Sequence, residues 1–210
     1  MGDGSLYLDK KNKYHTKICF NKAEIEYRDY VKELVETYFG YKFCIVELPS
    51  EFLVINVSVF VGASLVHDGL KSGNKVNNKL VAPKWIKKKK EYAKRFLRGF
   101  FDTDGSVYCK YGSYAQLQIK TACEETTRSI WKLMVQLGFH PTKIQKEERL
   151  KNNKLCYAWK VYLCRQTEVQ HFFAIIKPKN LKHVERYKRI KMGALGRSRK
   201  QAHLVSDSNF

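Results

Sequence analysis

The residues of this chain best suited to chemistry are acids that recur at one spacing. Asp102-Thr103-Asp104-Gly105-Ser106 follows the run Phe96-Leu97-Arg98-Gly99-Phe100-Phe101, and Asp3-Gly4-Ser5 stands 101 positions earlier. Carboxylates are hard oxygen donors that suit a divalent cation, and an Asp ahead of a glycine also closes turns. The run before the second copy suits a helix packed tightly on another helix: Gly99 lets two backbones approach, and the acids emerge at the helix end. Asp102 lies one turn short of that end, where capping or pairing is the expected role.

Two repeated sets of elements must position these acids. Gly2-Asp3-Gly4-Ser5-Leu6-Tyr7 matches Thr103-Asp104-Gly105-Ser106-Val107-Tyr108. Each block runs into an alternating stretch, Tyr14 to Phe20 and Tyr114 to Thr121, with the two-residue period of a half-buried strand. An amphipathic helix follows in each copy, carrying Ile25, Val31, Leu34, Val35 and Phe39 or Ile130, Leu133, Met134 and Leu137. Both helices stop at a glycine, Gly40 and Gly138. Two further strands and a short helix complete each copy, and the second copy gains a helix in front, Lys88 to Phe101. The expected fold is α+β, two αββαββα repeats related by a pseudo-twofold, with antiparallel sheets forming a saddle. Residues 1–82 make the first repeat, without most of its leading helix. Residues 83–192 make the second, and 193–210 a basic flexible tail. Lys71 to Pro83, rich in Gly, Asn and Lys, reads as a connector with few packing residues.

Forty Lys and Arg against 20 Asp and Glu leave a formal charge of +20. Self-repulsion at that level points to a polyanion as partner, with nucleic acid first. The six cysteines form no CxxC pair, so they read as reduced and mostly buried thiols rather than zinc ligands. No apolar stretch reaches the length of a membrane span and no leader opens the chain, so a cytoplasmic, membrane-free protein is expected.

Leu97 to Gly105 reads LRGFFDTDG, and this resembles the LAGLIDADG signature of the homing endonucleases. The flanking Ala82-Pro83-Lys84-Trp85-Ile86 and Lys94-Arg95 resemble the segment ahead of the second motif in two-repeat members. The resemblance spans about residues 1 to 190 and is strongest at 83 to 108. It implies a monomeric, site-specific endonuclease for double-stranded DNA that hydrolyses phosphodiesters with Mg²⁺ or Mn²⁺, encoded in an intron or intein. In that family the last acid of each motif binds metal, a role that falls on Asp3 and Asp104. A lysine near a phosphate stabilises growing negative charge. By position Lys75 resembles the basic residue of the first half, and Lys182 or His183 that of the second. Because the chain opens two residues before Asp3, the first motif is expected to keep only its helix end. The face with Leu97, Phe100 and Phe101 would then be exposed or covered by another element. A family relative without cleavage, acting as an RNA maturase or DNA-binding protein, is the alternative.

A curved antiparallel sheet can lie in the major groove and present alternate side chains to base edges. The candidate readers are Tyr7, Lys13, His15 and Lys17 in the first half, and Tyr108, Lys110, Tyr114, Gln116, Gln118 and Lys120 in the second. Gln pairs with adenine and Lys with guanine. Lys87 to Lys90 and the tail bases Arg197, Arg199 and Lys200 suit phosphate contact.

Overall fold

The computed structural model describes residues 3–111, 114–151 and 153–192. The expected tail, with Arg197, Arg199 and Lys200, lies outside them. The first repeat runs β1 (Gly4–Leu8), β2 (Tyr14–Asn21), α1 (Ile25–Phe39), β3 (Cys44–Glu47), β4 (Glu51–Val57) and α2 (Val59–His67). A connector and a 3-10 helix (Lys84–Lys88) lead to α3 (Lys90–Asp104), β5 (Gly105–Tyr111), β6 (Tyr114–Thr121), α4 (Glu124–Gln136), β7 (Gln145–Lys151), β8 (Lys154–Leu163) and α5 (Gln166–Ile176). A further helix, α6, spans 181–192. No helix of the described residues is long and apolar enough to cross a membrane.

Alternation in the sequence becomes two four-stranded antiparallel sheets of the same order, β1-β2-β4-β3 and β5-β6-β8-β7. In the first, Leu6 faces Thr16 and Tyr7 faces His15. The hairpin between them is closed by Asp9, whose carboxylate accepts the amides of Lys11 at 2.8 Å and Lys13 at 2.9 Å. In the second, Val107 faces Leu117 and Ile119 faces Val161, one apolar parity turned inward. Helices α1 and α4 end as the sequence implies. Gly40 and Gly138 take φ of 70° and 89°, left-handed backbone that a side chain would strain.

The two halves bury unequal cores. The first gathers Phe20, Tyr27, Phe43, Phe52, Val54 and Val61. The second is larger and includes Leu97, Phe100, Phe101, Leu117, Ile119, Ile130, Leu133, Met134 and Phe172. At roughly 1.5–3 kcal/mol for each buried Leu or Phe, the second half is the more strongly held. Of the two outcomes expected for Leu97, Phe100 and Phe101, exposure or cover by another element, the structure has the second. They pack inside their own repeat, and Phe101 meets the Phe172 ring edge-on at 5.1 Å.

Toward the first half α3 turns Phe96, Gly99 and Thr103, with an edge of Phe100. Together with Tyr27, Tyr30, Val31 and Leu34 of α1, these line a hollow of about 630 Å³ between the halves. Among the described residues nothing stands within 4 Å of where a Cβ on Gly99 would lie, so the close helix approach expected there is not made. The cysteines also depart from expectation. Only Cys123 is buried, and Cys44, Cys109, Cys156 and Cys164 are exposed, being on strand faces or ends that no helix covers. The connector is better anchored than its composition suggests: Leu80 and Ala82 are buried against α4, where the Leu80 carbonyl accepts from Thr126 Oγ1 at 2.6 Å.

Candidate nuclease centre and nucleic-acid face

Helix α3 passes into β5 with no loop, and the acid–glycine pair makes this possible. A Cβ at position 105 would collide with the Phe101 backbone, so glycine is required directly after Asp104. Thr103 Oγ1 donates to the Gly99 carbonyl at 3.1 Å and lies 3.3 Å from Asp104 Oδ2, steadying the last turn. Asp104 is thereby held partly buried at the helix end. Burial pushes its carboxyl above the usual range, and repulsion from Asp3 adds to the rise. Asp3 occupies the matching position ahead of β1, joined to β2 through its carbonyl and the Cys19 amide at 3.4 Å. Its pKa is also raised by enclosure, against the pull of Lys75.

Lys75 stands near these acids, although it belongs to neither motif. Gly73 bonds the Leu6 carbonyl at 2.8 Å, and Asn74 Oδ1 accepts the amides of Val76 at 2.8 Å and Asn77 at 3.2 Å. This turn delivers Lys75 to a hollow of about 170 Å³ that it lines with Asp104. Burial lowers its pKa, while Asp104 and then Asp3 hold the ammonium charged. A half-buried cation beside two acids with raised pKa values forms a compact charged centre where the two repeats meet.

Lys182 and His183, adjacent in sequence, separate in space. Lys182 Nζ reaches Glu24 of the first repeat at 2.7 Å, and its charge is felt at Asp3. His183 is turned into the core with its ring 4.7 Å from that of Phe101. Neither ring nitrogen has a hydrogen-bond partner among the described residues, and burial pushes its pKa down to about 4. Asp102 caps α6, accepting the backbone amides of Lys179 at 3.0 Å and Asn180 at 3.1 Å. Glu24 and Asn180 escaped the sequence reading. They are 156 positions apart, and no local pattern marks either.

The outer faces of the sheets carry most of the candidate readers. Tyr7 stacks on His15 at 4.7 Å, and His15 Nε2 lies 2.8 Å from Asp9 Oδ2. Lys13 is exposed at the β1–β2 hairpin, and Lys17 pairs across from Ser5. In the second sheet Tyr114 is 64% exposed at a strand end, and Lys110 sits at the register shift between Cys109 and Tyr111. Gln116 is buried, its carbonyl oxygen accepting from Tyr108 at 2.8 Å and its amide nitrogen 2.8 Å from Cys164 Sγ. Gln118 donates to Tyr162 Oη at 2.8 Å. Lys120 and Lys160 both meet Glu147 Oε2, at 2.6 and 2.8 Å, and with Arg149 hold that carboxyl down to about 2. Tyr162, Lys160 and Arg149 were missed, although the same two-residue period on β7 and β8 marks them.

Among the described residues no three His, Cys, Asp or Glu side chains come together. The donors at the centre are the two aspartates, hard oxygen ligands of the kind that Mg²⁺ accepts alongside water and phosphate oxygens.

Two repeats of the same strand order bring Asp3 and Asp104 near each other, and this fold is shared with the homing endonucleases. Residues 91–177 match the family model described as LAGLIDADG-like domain. The match lies within the second repeat, and the chain as a whole shares the fold of the homing endonucleases. No curated protein matches the sequence. Among solved structures, the homing endonuclease I-DmoI, in a study of its mesophilic variants, superposes with a TM-score of 0.54 at 13% identity, covering 85% of this chain and 90% of that one. A lysine double mutant of I-SmaMI gives 0.55 at 12% identity, covering 98% and 91%. Full-length DUF199/WhiA from Thermatoga maritima gives 0.51 at 15% identity, covering 99% of this chain and 64% of that one.

Proposed function

We propose that this chain is a site-specific double-stranded DNA endonuclease that works as a monomer with Mg²⁺ or Mn²⁺. The observation that carries the reading is the half-buried Lys75 that shares a hollow with Asp104 and is coupled to Asp3, one acid from each repeat, in a strongly basic fold. I-DmoI, which shares the fold, has been crystallised with DNA and Ca and with DNA and Mn.

Asp3 and Asp104 would hold the metal, and a bound divalent ion supplies an activated water and neutralises charge at the scissile phosphate. The chain's own contribution is electrostatic. Burial has already removed much of the water around both carboxylates, so a cation gains more from them than from exposed acids. Lys75, and Lys182 from the second repeat, would stabilise the negative charge that grows on the phosphate beside those acids. The two sheets carry the duplex. Lys13, Lys17, Lys110 and Lys120 neutralise phosphates or meet guanine, and Tyr7, His15, Tyr108, Tyr114 and Gln118 belong to the reading surface, whereas the expected reader Gln116 is buried and serves to hold Tyr108.

The test is to incubate the protein with Mg²⁺ and a randomised duplex library and to sequence the ends of each strand. Defined staggered ends that vanish in Asp104→Asn support the endonuclease. Tight, salt-dependent binding without ends replaces it with a second reading, a maturase or DNA-binding protein on the same scaffold.

A further inference from the structure

Glu24 stands directly before α1 in the first repeat, where its Oε2 accepts the Asn21 amide at 3.4 Å, while its other carboxylate oxygen reaches the second repeat. Its Oε1 accepts from Asn180 Nδ2 at 2.9 Å and from Lys182 Nζ at 2.7 Å. The turn into α1 does not depend on that oxygen. Asn21 closes it, accepting the Ala23 amide through its side chain at 2.9 Å and the Glu24 amide through its carbonyl at 2.9 Å. Asn180 is 2% exposed and its Nδ2 also donates to the Asp102 carbonyl at 2.9 Å. A continuous polar chain therefore runs from Glu24 through Asn180 to the last turn of α3, which bears Asp104. Lys182, by contrast, has a side chain 52% exposed, and Glu24 is its only hydrogen-bond acceptor among the described contacts.

We infer that Glu24 is a positioning residue that reaches across the two repeats to hold Lys182 beside Asp3. A four-carbon side chain left free at a surface samples many rotamers, and fixing its ammonium removes that entropy before DNA arrives. The carboxylate suits the task because it stays ionised. Burial alone would raise its pKa, but the bonds from Asn180 and Lys182 outweigh burial and hold it below the usual glutamate range. Glu24 touches no reacting atom; it acts through Lys182. The pair also makes the two active-centre halves interdependent, since the lysine that serves Asp3 is carried by the repeat that contributes Asp104.

The inference rests on the endonuclease reading, and two readouts keep the two apart. In the strand-resolved library assay, Glu24→Ala lowers ends on one strand roughly 10- to 100-fold, as expected when a charged group near the phosphate loses its placement. The other strand and the binding midpoint stay close to wild type. Glu24→Gln, whose carbonyl oxygen still accepts both bonds, recovers most of the loss. In a Lys182→Met background Glu24→Ala has no further effect. Independently of cleavage, acetylation of Lys182 in the free protein, followed by mass spectrometry, accelerates about 1.5- to 5-fold in Glu24→Ala, the span set by a partly exposed ion pair. Equal losses on both strands, additive effects with Lys182→Met, or unchanged acetylation would each overturn the assignment. If the wild-type protein makes no ends, the endonuclease reading and the positioning role fall together, and the acetylation rates still report whether the pair forms.

Discussion

Asp102, on the last turn of α3, accepts the backbone amide of Asn180 at 3.1 Å and so ties the start of α6 to the helix that carries Asp104. Its carboxyl is buried and raised to about 6, chiefly by burial, against the lowering effect of the Asn180 and Lys179 amides. An acid whose folded pKa exceeds its unfolded one binds its proton more tightly when folded. Its contribution is therefore fullest below about pH 4, falls as pH rises, and is lost above about pH 6.

Asp102→Asn, which cannot titrate, is expected to flatten that slope. The stability of wild type relative to Asp102→Asn should fall between pH 4 and pH 7 by up to about 3 kcal/mol. Chemical denaturation at the two pH values measures it, and parallel pH profiles would contradict it. Asp102→Ala leaves two buried amides without an acceptor and should cost about 1–3 kcal/mol at either pH.

Lys75→Met keeps the length of the side chain and removes its charge. Cleavage in the library assay should fall about 10²- to 10³-fold, in line with the loss of one preorganised cationic donor. Binding, measured by fluorescence anisotropy on a labelled duplex, should weaken only a few-fold, since one charge among many is removed. A parallel collapse of binding and cleavage would assign Lys75 to affinity instead.

Gly99→Ala tests the hollow between α1 and α3. A methyl group there meets nothing within 4 Å, and alanine favours a helix interior over glycine by about 0.8–1 kcal/mol. The substitution should raise Tm. A lowered Tm would mean that another segment already packs against α3 at this position.

Gln118 is oriented by Tyr162, whose hydroxyl accepts its amide nitrogen at 2.8 Å, and it pairs directly across from Tyr162 in the sheet. Gln118→Ala should relax sequence preference at one base pair by about 1–3 kcal/mol. Tyr162→Phe frees the amide to turn and should broaden preference at the same position. Selection of bound duplexes from the random library, compared with selection by wild type, reads both effects. A shift in overall salt dependence without a change at one position would instead make these residues phosphate contacts.

Much of the fold was legible in local pattern. The two-residue period of Thr16, Ile18 and Phe20 and of Ala115, Leu117 and Ile119 marks half-buried strands. Gly40 and Gly138 end their helices by taking the backbone conformation that other residues avoid. Asp104-Gly105-Ser106 marks where helix turns to strand, since glycine alone fits behind that acid, whereas a Cβ at Gly4 would meet its neighbours at ordinary distance. The basic charge is a property of composition and needs no structure.

Other features belong to the tertiary structure because they join residues with no relation along the chain. Leu97, Phe100 and Phe101 carry an apolar face in the sequence, but only packing decides that α4 and α5 cover it while Phe96 and Gly99 face the hollow. Lys182 and His183 are neighbours of equal promise on paper. A helix turns consecutive residues about 100° apart, which sends one to Glu24 and the other against Phe101. The Glu24–Asn180–Asp102 chain is invisible to any local pattern because its members are brought together only when the two repeats meet. The sequence by itself determined the elements, their repetition and the two acids. Folding decided which cations stand beside those acids, because burial and charge pairing depend on distance in space and not along the chain.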